Sequence, residues 1–260
     1  LWIPTMSLSE RLNHDPTAFR VDGAELFASC VAHLGQPGVA PSVSVANAPF
    51  FVDAAVLDEL RELISTILRV SEMPSYRGFE ESRTDALSPS APPTLGVFYG
   101  FDFHLGPDGP RLIEINTNAG GAMLLAHLEG ATRRRLPDLD TLPLAPGWPS
   151  AGPKRLLESF SHEFARACPD RPLHSVAIVD ETPTLQYLYT EFLLFREALR
   201  AAGIRAEILA PTELEWTGAG LAHAGQHIDL VYNRLVDFGL ESPEHALLAK
   251  AVRGSTTVVS

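Results

Sequence analysis

Lysine is nearly missing from this chain. Positions 154 and 250 hold the only two, and the other 18 of the 20 basic residues are arginines. Chemistry that needs several lysines around a phosphate therefore has few candidates here. Cysteine is equally scarce. Cys30 and Cys168 are too few for a disulfide framework and lack metal-site spacing, so both are expected to be reduced thiols of a cytoplasmic protein. No apolar run reaches the roughly 18 residues that span a bilayer, so no membrane segment is expected. Residues 1–6 carry neither a basic stretch nor a long apolar one, so no signal peptide is expected. The G-x-S-x-G, H-E-x-x-H and Walker-type glycine motifs are also missing, which excludes the chemistries those motifs signal.

What is present is an ordinary globular composition: 260 residues, 45% of them hydrophobic. That is enough for one large domain or two smaller ones. The formal net charge of −12 repels phosphate backbones, so non-specific nucleic-acid binding is not expected.

Three regions separate along the chain. Residues 1–90 read as mostly helical. The clearest helix covers 53–70, with Val56, Leu57, Leu60, Leu63, Ile64, Ile67 and Leu68 at helical spacing and Asp53 placed to cap it. A Ser/Pro/Ala breaker follows at 88–93. Residues 94–104 read as a strand, with Leu95, Val97, Tyr99, Phe101 and Phe103 on one parity. A five-residue turn at 106–110 leads to a second strand at 111–116, making a hairpin. A helix is expected over 122–135, a Pro/Gly/Asp-rich linker over 136–152 and an amphipathic helix over 154–167. In the last region, strands at 174–180, 205–209, 228–232 and 256–259 alternate with helices at 185–202 and 243–252. Gly203 is placed to end the first of these helices. This β-α-β-β-α-β rhythm argues for a parallel, Rossmann-like sheet.

The segment 100–121, G-F-D-F-H-L-G-P-D-G-P-R-L-I-E-I-N-T-N-A-G-G, carries the chemistry. Side chains alternate along a strand, so Glu114 and Asn116 face one way. A hairpin can bring Asp102 beside them. Two carboxylates and an amide oxygen form a hard-oxygen set suited to Mg²⁺, with Mn²⁺ as a substitute, rather than Zn²⁺. Mg²⁺ completes its octahedron with water and substrate phosphates, so a Mg²⁺–nucleotide is the natural occupant. A lone E-x-N on a strand is usually only an exposed face; the preceding G-x-D and the following glycine loop make the pattern specific.

Over residues 95–130 this pattern resembles the metal-binding hairpin of the ATP-grasp superfamily, as in D-alanine–D-alanine ligases and glutathione synthetases. The resemblance implies that Asp102, Glu114 and Asn116 hold Mg²⁺ against the phosphates of ATP, and that Thr117, Asn118, Gly120 and Gly121 line the nucleotide and acyl-phosphate. The order of parts, hairpin first and Rossmann-like region second, resembles the circularly permuted members: eukaryotic-type glutathione synthetase and the glutathionylspermidine-synthase-like group. In them a V-Y-x-R strand helps build the amino-acid or peptide site. Val231-Tyr232-Asn233-Arg234 is similar, which implies that Arg234 grips a substrate carboxylate.

The fold class expected is therefore α/β. Residues 1–150 would hold a helical region and the metal-binding portion of an ATP-grasp domain, and 151–260 a Rossmann-like substrate domain. The implied activity is ATP-dependent ligation of a carboxylate to an amine through an acyl-phosphate. Partners would be small molecules, an amino acid or peptide and an amine, with no nucleic acid and no membrane; a homodimer is left open. The family also needs lysines at the α- and β-phosphates. Lys154 and Lys250 form no such pair, which implies a partial chain whose nucleotide half lies elsewhere. Two rivals stay open: a non-catalytic ligand-binding module of the same ancestry, and a metal hydrolase that turns over without ATP. Lesser candidates are His104 beside Asp102, the cluster Arg133–Arg135, Arg77 and Arg83 ahead of the hairpin, and Asp180 at a strand end. For each of these a structural role is the more ordinary reading.

Overall fold

The computed structural model describes residues 6–34, 43–82, 94–143, 152–254 and 257–260. The expected breaker at 88–93, Arg83, Thr256 and the later part of the expected linker lie outside these residues. In chain order the elements are helices α1 (Leu8–His14), α2 (Gly23–Val31), α3 (Ala54–Ser71) and α4 (Pro74–Glu81), then strands β1 (Gly100–Gly106) and β2 (Gly109–Asn116). Helices α5 (Ala122–Arg135) and α6 (Gly152–Ala167) come next, followed by β3 (Ser175–Val179), α7 (Tyr189–Ala201) and β4 (Arg205–Leu209). The chain continues with β5 (Glu215–Thr217), β6 (Gly220–His223), β7 (Gln226–His227), β8 (Leu230–Asn233), α8 (Ala246–Gly254) and β9 (Val258–Val259). The fold is mixed α/β, with a two-stranded antiparallel hairpin β1-β2 and a four-stranded parallel sheet ordered β4-β3-β8-β9.

Both faces of the parallel sheet are covered, as parallel sheets require. On β3, Val176 and Ile178 enter one core with α2, α5, α6 and α7, while Ala177 and Val179 enter a second core with α8. The first core holds residues from both sides of position 150. At its centre Phe98, Phe160, Phe195 and Tyr232 form a ring cluster with centroids 5.3–5.9 Å apart. From β4 the chain returns past β3 to reach β8, so the sheet reverses its winding between β3 and β8. Ligand sites of open α/β sheets form at the carboxyl ends of the strands flanking such a reversal. Here Asp180 follows β3, and Asn233 and Arg234 end β8.

Several local expectations change. The first hairpin strand starts at Gly100, not at 94. Gly96 adopts φ 95°, and Glu163 Oε1 on α6 accepts the Leu95 and Gly96 N–H groups at 2.9 and 2.8 Å. That bend breaks the parity read from the sequence, turning Val97 and Phe98 into the core and leaving Tyr99 exposed. The hairpin turn is shorter than five residues, because Gly106 and Gly109 already pair and Gly109 takes φ 95° to close it. Asp53 precedes α3 without a side-chain capping bond. Residues 183–185 form a 3-10 turn ahead of α7, and Gly203, at φ 81°, follows that helix as expected. The small antiparallel sheet β5-β6-β7 was not expected; its strands are two to four residues long, too short to display alternation, and Ala224 and Gly225 turn it at φ 48° and 71°. Among the described residues no helix is long and apolar enough to cross a membrane.

Phe160 is fully buried at the meeting point of α6, α7 and β8. Phe160→Ala is expected to cost about 3–5 kcal/mol, read as a lowered urea midpoint.

Candidate functional site

The hairpin register aligns the three oxygen-bearing side chains. Asp102 lies directly opposite Glu114, and Gly100 lies opposite Asn116, one step along the same face. The register shifts just after Asp102, so that Phe103 pairs with Leu112 and Ile113 is the extra residue. Asn116 Nδ2 donates to Glu114 Oε1 at 3.0 Å. All three side chains are exposed. Like charges directly opposite each other in a ladder repel. Among the described residues neither carboxylate has an ion pair; the guanidinium of Arg111, on the same face, is held instead by Asp108 at 3.0 Å. Nor do three His, Cys, Asp or Glu side chains converge anywhere among the described residues as a metal-holding group. The face offers two carboxylates and one amide.

The strand runs directly into the loop 117–121, which the parallel sheet grips. Arg234 Nη1 donates to the Asn118 carbonyl at 2.8 Å, to the Ala119 carbonyl at 3.2 Å and to Asn118 Oδ1. The Tyr232 hydroxyl donates to the Ala119 carbonyl at 3.2 Å, and the Arg234 guanidinium lies 5.2 Å from the Tyr232 ring centroid. Burial pushes the Tyr232 hydroxyl well above its ordinary range. Tyr232 on β8 and Arg234 just past its end thus both grip the loop. In the first instance, then, Arg234 holds the loop rather than standing free for a substrate, while its Nε is buried without a partner. Thr117 and Asn118 line a cavity of about 150 Å³ at the sheet reversal, together with Phe98, Tyr232, Asn233 and Phe238.

Gly120 and Gly121 have different tasks. A methyl group on Gly120 would lie 2.5 Å from Leu188 Cδ1 and 2.8 Å from Arg234 Nη2, so a side chain there would have to displace the tips of both. Gly121, at φ 97°, forms the N-cap of α5. Its N–H and that of Met123 donate to the carboxylate of Glu191, at 2.7 and 2.9 Å. Glu191 sits on α7, is 1% exposed, and so caps a helix distant in sequence. Burial raises its carboxyl above the ordinary 4.5, against the two N–H donors and Arg234, which pull it down. Sequence reasoning missed this residue. The available signal was a single carboxylate inside the apolar run L-Y-T-E-F-L-L-F, on the helix face that carries Leu188 and Phe195.

The other candidates are engaged structurally. Asp180 is buried and accepts the Thr182 N–H and Gln186 Nε2, at 3.2 and 2.8 Å. Arg133 pairs with Asp140 and Glu129, and Arg135 with Glu25. His104 lies opposite Arg111, beside Asp102 on the exposed hairpin face, and Arg77 is in α4. No protein-family model matches the chain, and no curated protein matches it.

Glu191→Ala leaves the Gly121 and Met123 N–H groups without their carboxylate acceptor, and is expected to destabilise by about 2–4 kcal/mol in urea denaturation. An acid whose folded value is raised adds stability below its unfolded value and loses it as pH rises through the folded one. The stability of the wild type relative to Glu191→Gln should therefore decline as pH is raised from below 4.5 towards neutrality. A difference that stays flat across that range would contradict the raised value.

Proposed function

We propose that this chain carries the metal-holding part of an ATP-dependent carboxylate–amine ligase of the ATP-grasp type, in a circularly permuted arrangement. The observation that carries the reading is the register of the hairpin. Asp102 faces Glu114 with Asn116 one step on, all three exposed, on a strand that leads straight into a loop seated at the reversal point of a parallel sheet. On this reading the hairpin belongs to a first portion, residues 1–150, and the parallel sheet to a Rossmann-like substrate portion, 151–260.

The donor set fits Mg²⁺. Its oxygens are hard, it leaves most coordination positions for water and phosphate, and among the described residues its two facing carboxylates have no ion pair. Bound there, Mg²⁺–ATP would supply the phosphoryl group that activates a carboxylate. The chain's own residues do the positioning. Asp102 and Glu114 neutralise the cation, and Asn116 contributes a neutral oxygen and steadies Glu114. Arg234 and Glu191 hold the loop on which Thr117 and Asn118 face the crevice, and the Arg234 Nε remains as a donor towards an acceptor oxygen. Mn²⁺ can replace Mg²⁺ in such a set. The substrates are then an amino acid or small peptide and an amine.

A second reading, a non-catalytic module that binds the metal–nucleotide without turnover, draws support from the lysines. Lys154 is exposed near Glu158, at 3.8 Å, and the Lys250 Nζ lies 3.9 Å over the Trp216 ring. Neither is near the hairpin in sequence or by these contacts, so neither is assigned to the phosphates.

Two measurements separate the outcomes. Titration with Mn²⁺ followed by electron paramagnetic resonance is expected to give a site that Asp102→Asn and Glu114→Gln each weaken at least about tenfold, with unchanged circular dichroism. Phosphate release from ATP in the presence of amino acids or small peptides is expected to be lost in Glu114→Gln and Asn116→Ala. Metal binding without phosphate release favours the module. Metal binding unaltered by every variant removes both readings, and turnover that needs the metal but no ATP would point to a hydrolase instead.

A further inference from the structure

Three of the four most exposed large apolar side chains among the described residues stand on the two loops that follow β3 and β8. Leu185 is 83% exposed, Val236 78% and Phe238 69%. The two loops are joined. The Arg234 N–H donates to the Val179 carbonyl at 2.8 Å, and His245 bridges Asp237 Oδ2, at 2.6 Å, and Glu181 Oε1, at 3.7 Å. Leu188 and Arg234 also meet at Gly120. Exposed apolar groups scattered singly are ordinary. These three lie at the carboxyl ends of the strands that flank the sheet reversal, where open α/β sheets take ligands.

The charged side chains of the same loops are engaged in internal bonds. Asp180 accepts the Thr182 N–H and Gln186 Nε2, and Asp237 accepts the Ser242 N–H beside His245. Arg234 holds the Asn118 and Ala119 carbonyls. The cavity at this point, about 150 Å³, is walled by Phe98, Tyr232 and Phe238 with the neutral Thr117, Asn118 and Asn233, and none of its lining side chains is charged. A space of that size takes one benzene-sized group. A charged group placed there would shed water without gaining a partner of opposite charge, whereas an apolar one gains by its burial.

We propose that the crevice takes an amino acid or small peptide with one bulky apolar side chain, aliphatic or aromatic, seated against Phe238 and covered by Leu185 and Val236. This names the substrate class of the ligase site and rests on that reading.

The test is calorimetric titration of the full chain with glycylphenylalanine, and with glycylglycine, glycylglutamate and glycyllysine as counterparts. Glycylphenylalanine is expected to bind one per chain, with a Kd at least about tenfold below that of each counterpart. Phe238→Ser should weaken it about fivefold or more with circular dichroism unchanged, and Leu185→Ser and Val236→Ser are the further variants should Phe238→Ser not fold. Phe50→Ser removes an equally exposed ring from another part of the surface and should leave the affinity as it was. The proposal is overturned if glycylphenylalanine binds no tighter than glycylglycine or glycyllysine, if none of the three loop variants weakens it, or if Phe50→Ser weakens it as much. The Mn²⁺ titration on the same protein separates the two readings. A Mn²⁺ site without any side-chain preference overturns the apolar subsite alone, whereas selective glycylphenylalanine binding without a Mn²⁺ site removes the ligase reading and leaves the subsite.

Discussion

Arg234 and Glu191 hold the loop 117–121 from the side of the parallel sheet, and the candidate site depends on that grip. A two-stranded hairpin is marginal alone, and this one is exposed over most of β2. Its location is set by its ends. Upstream, the Glu163 carboxylate fixes Leu95 and Gly96. Downstream, Arg234 takes the carbonyls of Asn118 and Ala119, and Glu191 takes the N–H groups that open α5. With both ends anchored, the loop that follows Asn116 is held at the reversal point of the sheet. Gly120 allows the close approach and Gly121 the left-handed cap, so the loop sequence and its clamps suit one another.

Buried and exposed carboxylates play opposite parts in this molecule. Glu163, Glu191 and Asp229 are nearly inaccessible, and each is saturated with donors from distant segments. Asp229, for example, takes Arg171 at 2.7 Å and the His174 and Ser175 N–H groups at 3.0 Å. Such a carboxylate ties chain segments together because leaving it or its donors unpaired in the interior is costly. Asp102 and Glu114 are the reverse: exposed, facing each other, and without a cation among the described residues. On the proposed reading that juxtaposition serves a bound cation rather than stability.

Much of the fold was legible in the sequence. The helix over 53–70 follows from apolar spacing, and the strand at 205–209 from a short run between Gly203 and Pro211. The parallel sheet follows from the alternation of strands and helices, because both its faces must be buried. What was misread depended on single contacts. Thr94 to Tyr99 looks like the start of a strand by parity, but a carboxylate of α6 captures its backbone and Gly96 bends it away. The strands β5, β6 and β7 are too short for any pattern to emerge. Glu191 lies in an apolar helix and resembles a solvent-facing charge until its partner is known.

By itself the sequence determined that Glu114 and Asn116 share a face, since side chains alternate along a strand, and that Asp102 could join them across a turn. It also pointed to a parallel sheet in the later region, with Arg234 just past the strand at 228–232. Only the tertiary structure decided what Arg234 touches and that Glu191 caps α5. The physical reason is chain separation. The contacts of Glu191 with Gly121 and of Arg234 with Asn118 join residues 70 and 116 positions apart, and such pairings arise from how whole layers pack, which no local periodicity encodes.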